Sequence, residues 1–243
     1  DGIKAIKASD GVLPIAPGVM VDGRPYVFDL VEAPHLFVAG QTGSGKSVCI
    51  HTIIGCLREI GNPPLLALID PKEMEFVRYS DLDKNDLYGG DIVTSPEDTQ
   101  KLLDKLVKEM SSRQSILAKL KVTNLAEAQA KGTKLRYLVV VIDELADLVM
   151  GTDGAIDQLI RLAQKARATG IHLILATQRP DADTFPGLLR ANIPSRIALS
   201  VRSSAESRII LDETGAEKLL GKGDMLARIA GQSVIRLHGF KVD

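Results

Sequence analysis

Gly40-Gln41-Thr42-Gly43-Ser44-Gly45-Lys46-Ser47 is the stretch whose reading decides this chain. The apolar run Leu36-Phe37-Val38-Ala39 precedes it, and Val48, Ile50, Ile53, Ile54 and Leu57 follow at helical spacing. Strand, glycine-rich turn and helix form the context in which G-x-x-x-x-G-K-[ST] is a phosphate cradle. Glycines let the backbone bend so that several N–H groups face one anion, and the helix N-terminus adds its positive end at the same point. Lys46 is expected to reach the β- and γ-phosphates as a point charge, and the Ser47 hydroxyl to ligate Mg²⁺. The expected nucleotide-binding residues are therefore Gly40, Gln41, Thr42, Gly43, Ser44, Gly45, Lys46, Ser47 and Val48. The alternative is a glycine-rich strand-to-helix turn carrying an ordinary lysine, and the flanking elements weigh against it.

The 243 residues, 45% of them hydrophobic, suffice for one sizeable α/β domain with a closed core. With 30 basic against 31 acidic residues and a net charge of −1, composition argues for neither nucleic acid nor membrane binding. Any DNA contact has to come from a local patch. No apolar run approaches the roughly 20 residues of a membrane span, and no signal peptide is visible. The chain opens on Asp1 and reads as a fragment of something longer. Cys49 and Cys56 fall seven apart on the expected helix, a rise of roughly 10 Å, too far for a disulfide. They read as small buried apolar residues in a reducing, cytoplasmic compartment. A metal site from Cys49, His51 and Cys56 is disfavoured because residues 49 and 51 face different sides of a helix.

Outward from the loop, residues 1–13 are polar and irregular, the tail of a preceding linker or domain, with the main domain over 14–243. Gly18-Val19-Met20-Val21 and Pro25-Tyr26-Val27-Phe28 flank Asp22-Gly23, which signals a hairpin with a type I′ turn and an edge strand starting at Pro25. Buried strands are expected at 34–39, 65–70, 137–142, 171–176 and 196–201, with a weak one at 91–94. Helices are expected at 46–59 and from Ser95-Pro96-Glu97-Asp98 as far as Leu120. A further helix over about 154–168 has Asp153 as its cap and Ile156, Leu159, Ile160 and Ala163 facing the core. Residues 121–134 read as an exposed basic loop or short helix, and the apolar segments near 208–211 and 225–237 as a short helix and a closing β pair. Long apolar strands alternating with helices make this an α/β protein, with a central, mostly parallel sheet flanked by helices and an N-terminal β-hairpin.

In open parallel sheets ligands bind at the carboxyl ends of the strands, and Gly40, Asp143-Glu144 and Thr177-Gln178 all fall at such ends. Asp143 is the expected second metal residue with Ser47, holding the magnesium shell. Glu144 is expected to orient and polarise an attacking water, although Asp-Glu after a strand can also cap a helix. Asp70 also ends a strand but is a poorer metal ligand, because Pro71-Lys72 follow and no acid is adjacent. The strand at 65–70 lies between the phosphate loop and the Asp-Glu strand, the order of the catalytic-glutamate branch of P-loop NTPases, which contains RecA-like motors. Gln178, at the end of the next strand, is placed to read the γ-phosphate, or else caps a loop. An arginine is still needed for charge developing on the transferred group, with Arg161, Arg167 and Arg179 as candidates.

Several longer runs carry a resemblance. Pro34-His35-Leu36-Phe37-Val38-Ala39-Gly40, Ile69-Asp70-Pro71-Lys72, Arg161-Leu162-Ala163-Gln164-Lys165-Ala166-Arg167, 170–180 and 215–226 closely resemble the FtsK/SpoIIIE family of DNA translocases. The likeness runs from about residue 12 to the C-terminus and covers the RecA-like motor domain only. It implies an ATP-hydrolysing homo-hexamer that threads double-stranded DNA through its centre, with ATP and Mg²⁺ at subunit interfaces. Membrane attachment would belong to absent N-terminal segments of a parent protein. The resemblance selects Arg167 as a finger acting on a neighbouring subunit. Ser204 stands where bacterial members often carry lysine, and residues 72–91 depart from the usual version. Segments 121–134 and 181–190, with Arg190, are the expected pore loops. Alternatives are a secretion-type ATPase of the same superfamily that moves protein, and a slow nucleotide-gated assembly module.

Overall fold

The computed structural model describes residues 2–240; Asp1 and residues 241–243, parts of the expected segments 1–13 and 14–243, lie outside the described residues. Along the chain run α1 (Gly2–Lys7), β1 (Pro14–Met20), β2 (Pro25–Asp29), β3 (Leu36–Ala39), α2 (Lys46–Arg58), β4 (Leu65–Ile69), α3 (Pro96–Leu120), α4 (Leu125–Ala130) and β5 (Leu138–Ile142). There follow α5 (Leu145–Gly151), α6 (Ala155–Lys165), β6 (Ile171–Thr177), α7 (Gly187–Ala191), β7 (Ser195–Leu199), α8 (Ser204–Leu211), β8 (Asp224–Arg228) and β9 (Ile235–Gly239). Among the described residues the strands form one nine-stranded sheet, ordered β2-β1-β9-β8-β7-β3-β6-β5-β4.

The run β7-β3-β6-β5-β4 is parallel throughout. Residues of β3, β5, β6 and β7 are buried without alternation, because both sheet faces are covered. One face packs on α2 through Ile50, Ile53, Ile54 and Leu57. The other packs on α3 and α6 through Leu102, Leu103, Leu106, Leu159 and Leu162. Antiparallel strands β8, β9, β1 and β2 extend the sheet beyond β7. Strand β6 lies between β3 and β5, so the ends of all three strands converge on one crevice.

Several local expectations are corrected. Residues 2–7 are not irregular but form α1, with Ile6 buried against Ala16 and Cys56. Six residues are too few to show a period, and a helix so short stands only by packing. The Asp22-Gly23 turn is not type I′. Only Gly23 takes positive φ (83°), and Gly23 N donates to Met20 O (2.9 Å) and Met20 N to Arg24 O (2.8 Å), a three-residue loop with a glycine bulge. The strand at 91–94 shrinks to a single bridge between Val93 and Ile69. Helix α6 starts after Gly154 at φ 71° with no side-chain cap, so Asp153 does not cap it. It stops at Lys165, and a separate 3₁₀ turn follows at Arg167–Thr169. Its buried stripe is Ala155, Leu159, Leu162 and Ala163; Ile156 and Ile160 are only half covered. Helix α3 keeps its expected limits, its Ser95 Oγ accepting from Asp98 N at 3.1 Å.

Candidate active site

The phosphate loop is shaped by its neighbours as much as by its own glycines. Gln41 N donates to Ser200 O (2.9 Å), beyond β7, and Gly40 N to Thr177 O (3.3 Å), at the end of β6. Gly45 sits at φ 103°, and a Cβ there would lie 2.7 Å from Gly223 N, so glycine is required for both torsion and space. Gly223 N in turn donates to Ser44 O (2.8 Å), docking the turn before β8 onto the loop. Ser44 is 2% exposed, and its Oγ has no hydrogen-bond partner among the described residues.

Lys46, Asp143 and Glu144 are all buried. Lys46 Nζ donates to both Asp143 O and Asp143 Oδ1, each at 2.7 Å. Asp143 is thus a paired carboxylate: a lysine at the start of α2 supplies its counter-charge. Burial pushes the Asp143 carboxyl above its ordinary value, and the Lys46 ammonium opposes that shift. Glu144 precedes α5 but makes no side-chain cap, which removes the helix-cap alternative for it. Its Oε1 accepts from Thr177 Oγ1 at 2.5 Å, and both of its oxygens accept from Gln178 N at 3.1–3.2 Å. Gln178 itself reaches the phosphate loop, its Oε1 accepting from Thr42 Oγ1 at 2.7 Å. Four sequence-expected residues, Lys46, Asp143, Glu144 and Gln178, thus meet at one edge of the sheet.

Other members of the site carried no sequence signal. Ser47 Oγ donates to Glu75 Oε1 (2.7 Å), from the 72–91 stretch that departs from the usual family version. Lys72 Nζ lies 3.2 Å from Asp147 and 3.6 Å from Glu144. A cleft of about 650 Å³ opens beside the loop, lined also by Val48, Gln178, Lys222, Met225, His238 and Phe240. Met225 and His238 come from paired strands β8 and β9, which only the folded sheet brings beside Gly43. Asp70 shapes its own turn: its Oδ2 accepts from Glu75 N and Phe76 N, both at 2.9 Å. These residues fit a nucleoside triphosphate with a divalent cation. The left-handed glycines and the open Ser44 hydroxyl offer donors, Lys46 a buried cation, and Ser47 and Asp143 hard oxygen ligands.

Arg167 is elsewhere. It precedes β6, whereas Gln178 follows it, and that strand spans about 20 Å. Its Nη2 donates to Glu32 O at 3.3 Å beside a second cleft, of about 430 Å³, shared with Leu125, Tyr137 and Lys165. Beneath it lie His35 and His172, ring centroids 6.1 Å apart. Burial lowers their ordinary pKa of 6.5 to about 4 and about 3 respectively. Thr169, two residues on, is held by the buried Arg113, whose Nη1 donates to Thr169 O at 3.0 Å. Helix α4 inside segment 121–134 precedes β5, and Arg190 precedes β7, so both belong to this same end. Arg161 lies on the wet side of α6, and Arg179 is exposed just past Gln178.

Phosphate loop, buried Asp-Glu pair and a polar residue on the intervening strand define a P-loop ATPase fold of the catalytic-glutamate, RecA-like branch. The chain belongs to the FtsK/SpoIIIE family, whose model matches residues 3–134 and 122–182. It is 44% identical over 246 residues to the DNA translocase FtsK of Streptococcus pneumoniae, covering 95% of this chain and 32% of that protein. To the DNA translocase FtsK of Haemophilus influenzae it is 44% identical over 263 residues, covering 95% and 49%. The chain thus spans about a third to a half of the length of these relatives. Among solved structures, the pCW3 conjugation coupling protein TcpA, with ATPγS, superposes with a TM-score of 0.84 at 31% identity, covering 97% of this chain and 68% of that one. The type VII secretion ATPase EccC of Thermomonospora curvata superposes with a TM-score of 0.80 at 25% identity, covering 95% and 29%. No described helix is long and apolar enough to cross a membrane.

Proposed function

We propose that this chain is the ATP-hydrolysing motor of a ring, six copies strong, that pumps double-stranded DNA. The observation that carries the reading is the division of the hydrolytic set. Lys46, Ser47, Asp143, Glu144 and Gln178 line one edge of the sheet, while Arg167 lies across the sheet, out of reach of its own site. A motor whose subunits must touch to fire needs this arrangement.

At the phosphate edge, Lys46 and the loop N–H groups hold the β- and γ-phosphates, and Met225 and Phe240 offer apolar surface to the base. Mg²⁺, held by Ser47 and Asp143, would neutralise charge on the phosphates. Glu144, fixed by Thr177 and by Gln178 N, orients the attacking water and accepts its proton; Gln178 reports the γ-phosphate to the loop through Thr42. Arg167 enters the pocket of the adjacent copy. Segments 121–134 and 181–190, with Arg190, grip the phosphate backbone without sequence preference. The relatives named DNA translocase and the neighbour named conjugation coupling protein support DNA as cargo. The parent protein would work on the cytoplasmic side of a membrane, anchored by segments outside this chain.

The test is the ATPase rate with and without duplex DNA. It should rise with DNA and lose that stimulation as salt increases. The likeness to EccC keeps a protein cargo as the second reading. A rate indifferent to DNA but raised by an extended polypeptide would favour it. Assembled rings that bind nucleotide without cleaving it would instead mark an assembly module.

A further inference from the structure

Read as a site for a nucleotide with its cation, the phosphate edge leaves one carboxylate unassigned. On that reading, we infer that Glu75 is a positioning residue of the cation site, which fixes the direction of the Ser47 hydroxyl. A serine hydroxyl carries one proton and two lone pairs. Ser47 Oγ donates its proton to Glu75 Oε1 at 2.7 Å, so its lone pairs are turned away from that carboxylate. Both residues line the cleft beside the phosphate loop, and the lone pairs are then free for a metal there. Without such an acceptor the proton has no fixed partner, and the hydroxyl is not oriented until the cation itself turns it.

Glu75 is itself held from two directions. Its N–H donates to Asp70 Oδ2 (2.9 Å), an interaction repeated by Phe76 N. Its second oxygen lies 3.4 Å from His51 Nε2, one turn beyond Ser47 on α2, and His51 Nδ1 meets the Tyr79 hydroxyl at 2.9 Å. Asp70, which the sequence offers as an inferior metal ligand, therefore acts by building the turn that delivers a different carboxylate. The same turn carries Lys72 toward Glu144, so residues 70–76 touch both the cation side and the water side of the site. Groups that orient a metal ligand without touching the metal change metal affinity by about 10–100-fold.

The experiment measures equilibrium binding of a fluorescent, non-hydrolysed ATP analogue to the full chain, once in magnesium and once in excess EDTA. Glu75→Ala should weaken binding in magnesium about tenfold and leave binding in EDTA within about twofold. Glu75→Gln, which keeps an acceptor oxygen for Ser47, should recover part of the loss, and its comparable size guards against a folding artefact. Equal losses in both conditions, or no loss in magnesium, would overturn the role of Glu75. If the unaltered chain gained nothing from magnesium, the nucleotide–cation reading would fall first and this inference with it.

Discussion

The two ends of the parallel sheet are built on opposite plans. At the ends of β3, β5 and β6, the charged and polar groups expected to act on the nucleotide are matched within the chain: Lys46 by Asp143, Glu144 by Thr177 and Gln178 N, Gln178 by Thr42. At the starts of the same strands, the one side-chain hydrogen bond of Arg167 among the described residues is a 3.3 Å contact with a carbonyl, beside an open cleft. The first end has its carboxylates taken from water and paired in advance, and Lys46 would exchange Asp143 for phosphate oxygens when a nucleotide arrives. The second end positions its arginine through the backbone, with Arg113 gripping Thr169 O and two neutral histidines packed below. What differs is where the partner comes from. One end is completed by its own chain, and the other leaves its arginine beside an open cleft.

Breaking the first end should have the largest effect. Lys46→Ala is expected to abolish both nucleotide binding and turnover, since it removes the phosphate charge and strands Asp143 in a buried site. Leaving one member of a buried pair alone costs about 3–5 kcal/mol, so a lower thermal midpoint should accompany the loss. Binding and calorimetry on one preparation check both.

Breaking the second end should separate binding from chemistry. Arg167→Ala is expected to lower DNA-stimulated turnover about 10³-fold with nucleotide affinity unchanged. Mixing Arg167→Ala with Lys46→Ala subunits should restore part of the activity, because the second variant still offers its arginine to the intact pocket of the first. Mixtures as inactive as their parts, or a dilute monomer as fast as the assembled protein, would remove the contrast between the two ends.

A smaller effect concerns what lies under Arg167. His35 and His172 have pKa values lowered from 6.5 to about 4 and about 3, chiefly by burial, with the Arg167 cation adding to the shift. The fold therefore holds both rings neutral. Their contribution is complete above pH 6.5 and is lost as pH falls through about 4 and then about 3. For His35 the loss amounts to about 3 kcal/mol. Both ring nitrogens of His172 lack hydrogen-bond partners among the described residues, and its ring stacks on Tyr137. His172→Phe should leave stability at pH 7 unchanged or slightly higher and flatten its decline between pH 6 and 4. Denaturant midpoints across that range test it; an unchanged slope would show that other groups carry the acid sensitivity.

The contrast also explains what could be read in advance. Lys46, Asp143, Glu144 and Gln178 were legible because each stands at the end of a long apolar strand or the start of an apolar helix, and strand ends of a parallel sheet share one edge. Arg167 was one of three candidate arginines and was singled out only through resemblance, since an exposed arginine after a helix has no local mark. Glu75 had none: it lies in a charged stretch, and its place follows from Asp70 accepting two backbone N–H groups. Lys222, Met225, His238 and Phe240 come to the cleft because β8 and β9 fold back beside β7, a pairing across some 180 residues from the loop they meet. The missed helix α1 and the altered hairpin turn are small elements whose form depends on what they touch.

The amino-acid order alone determined the alternation of buried strands and helices, the phosphate loop and the acidic pair, because those depend on periodicity and on neighbours in the chain. Tertiary structure alone decided that β6 enters between β3 and β5, that Asp143 takes its counter-charge from Lys46, that Glu75 meets Ser47, and that Arg167 faces away. Those contacts join residues far apart in sequence, and their energies arise only when the packed sheet excludes water and brings the charges together.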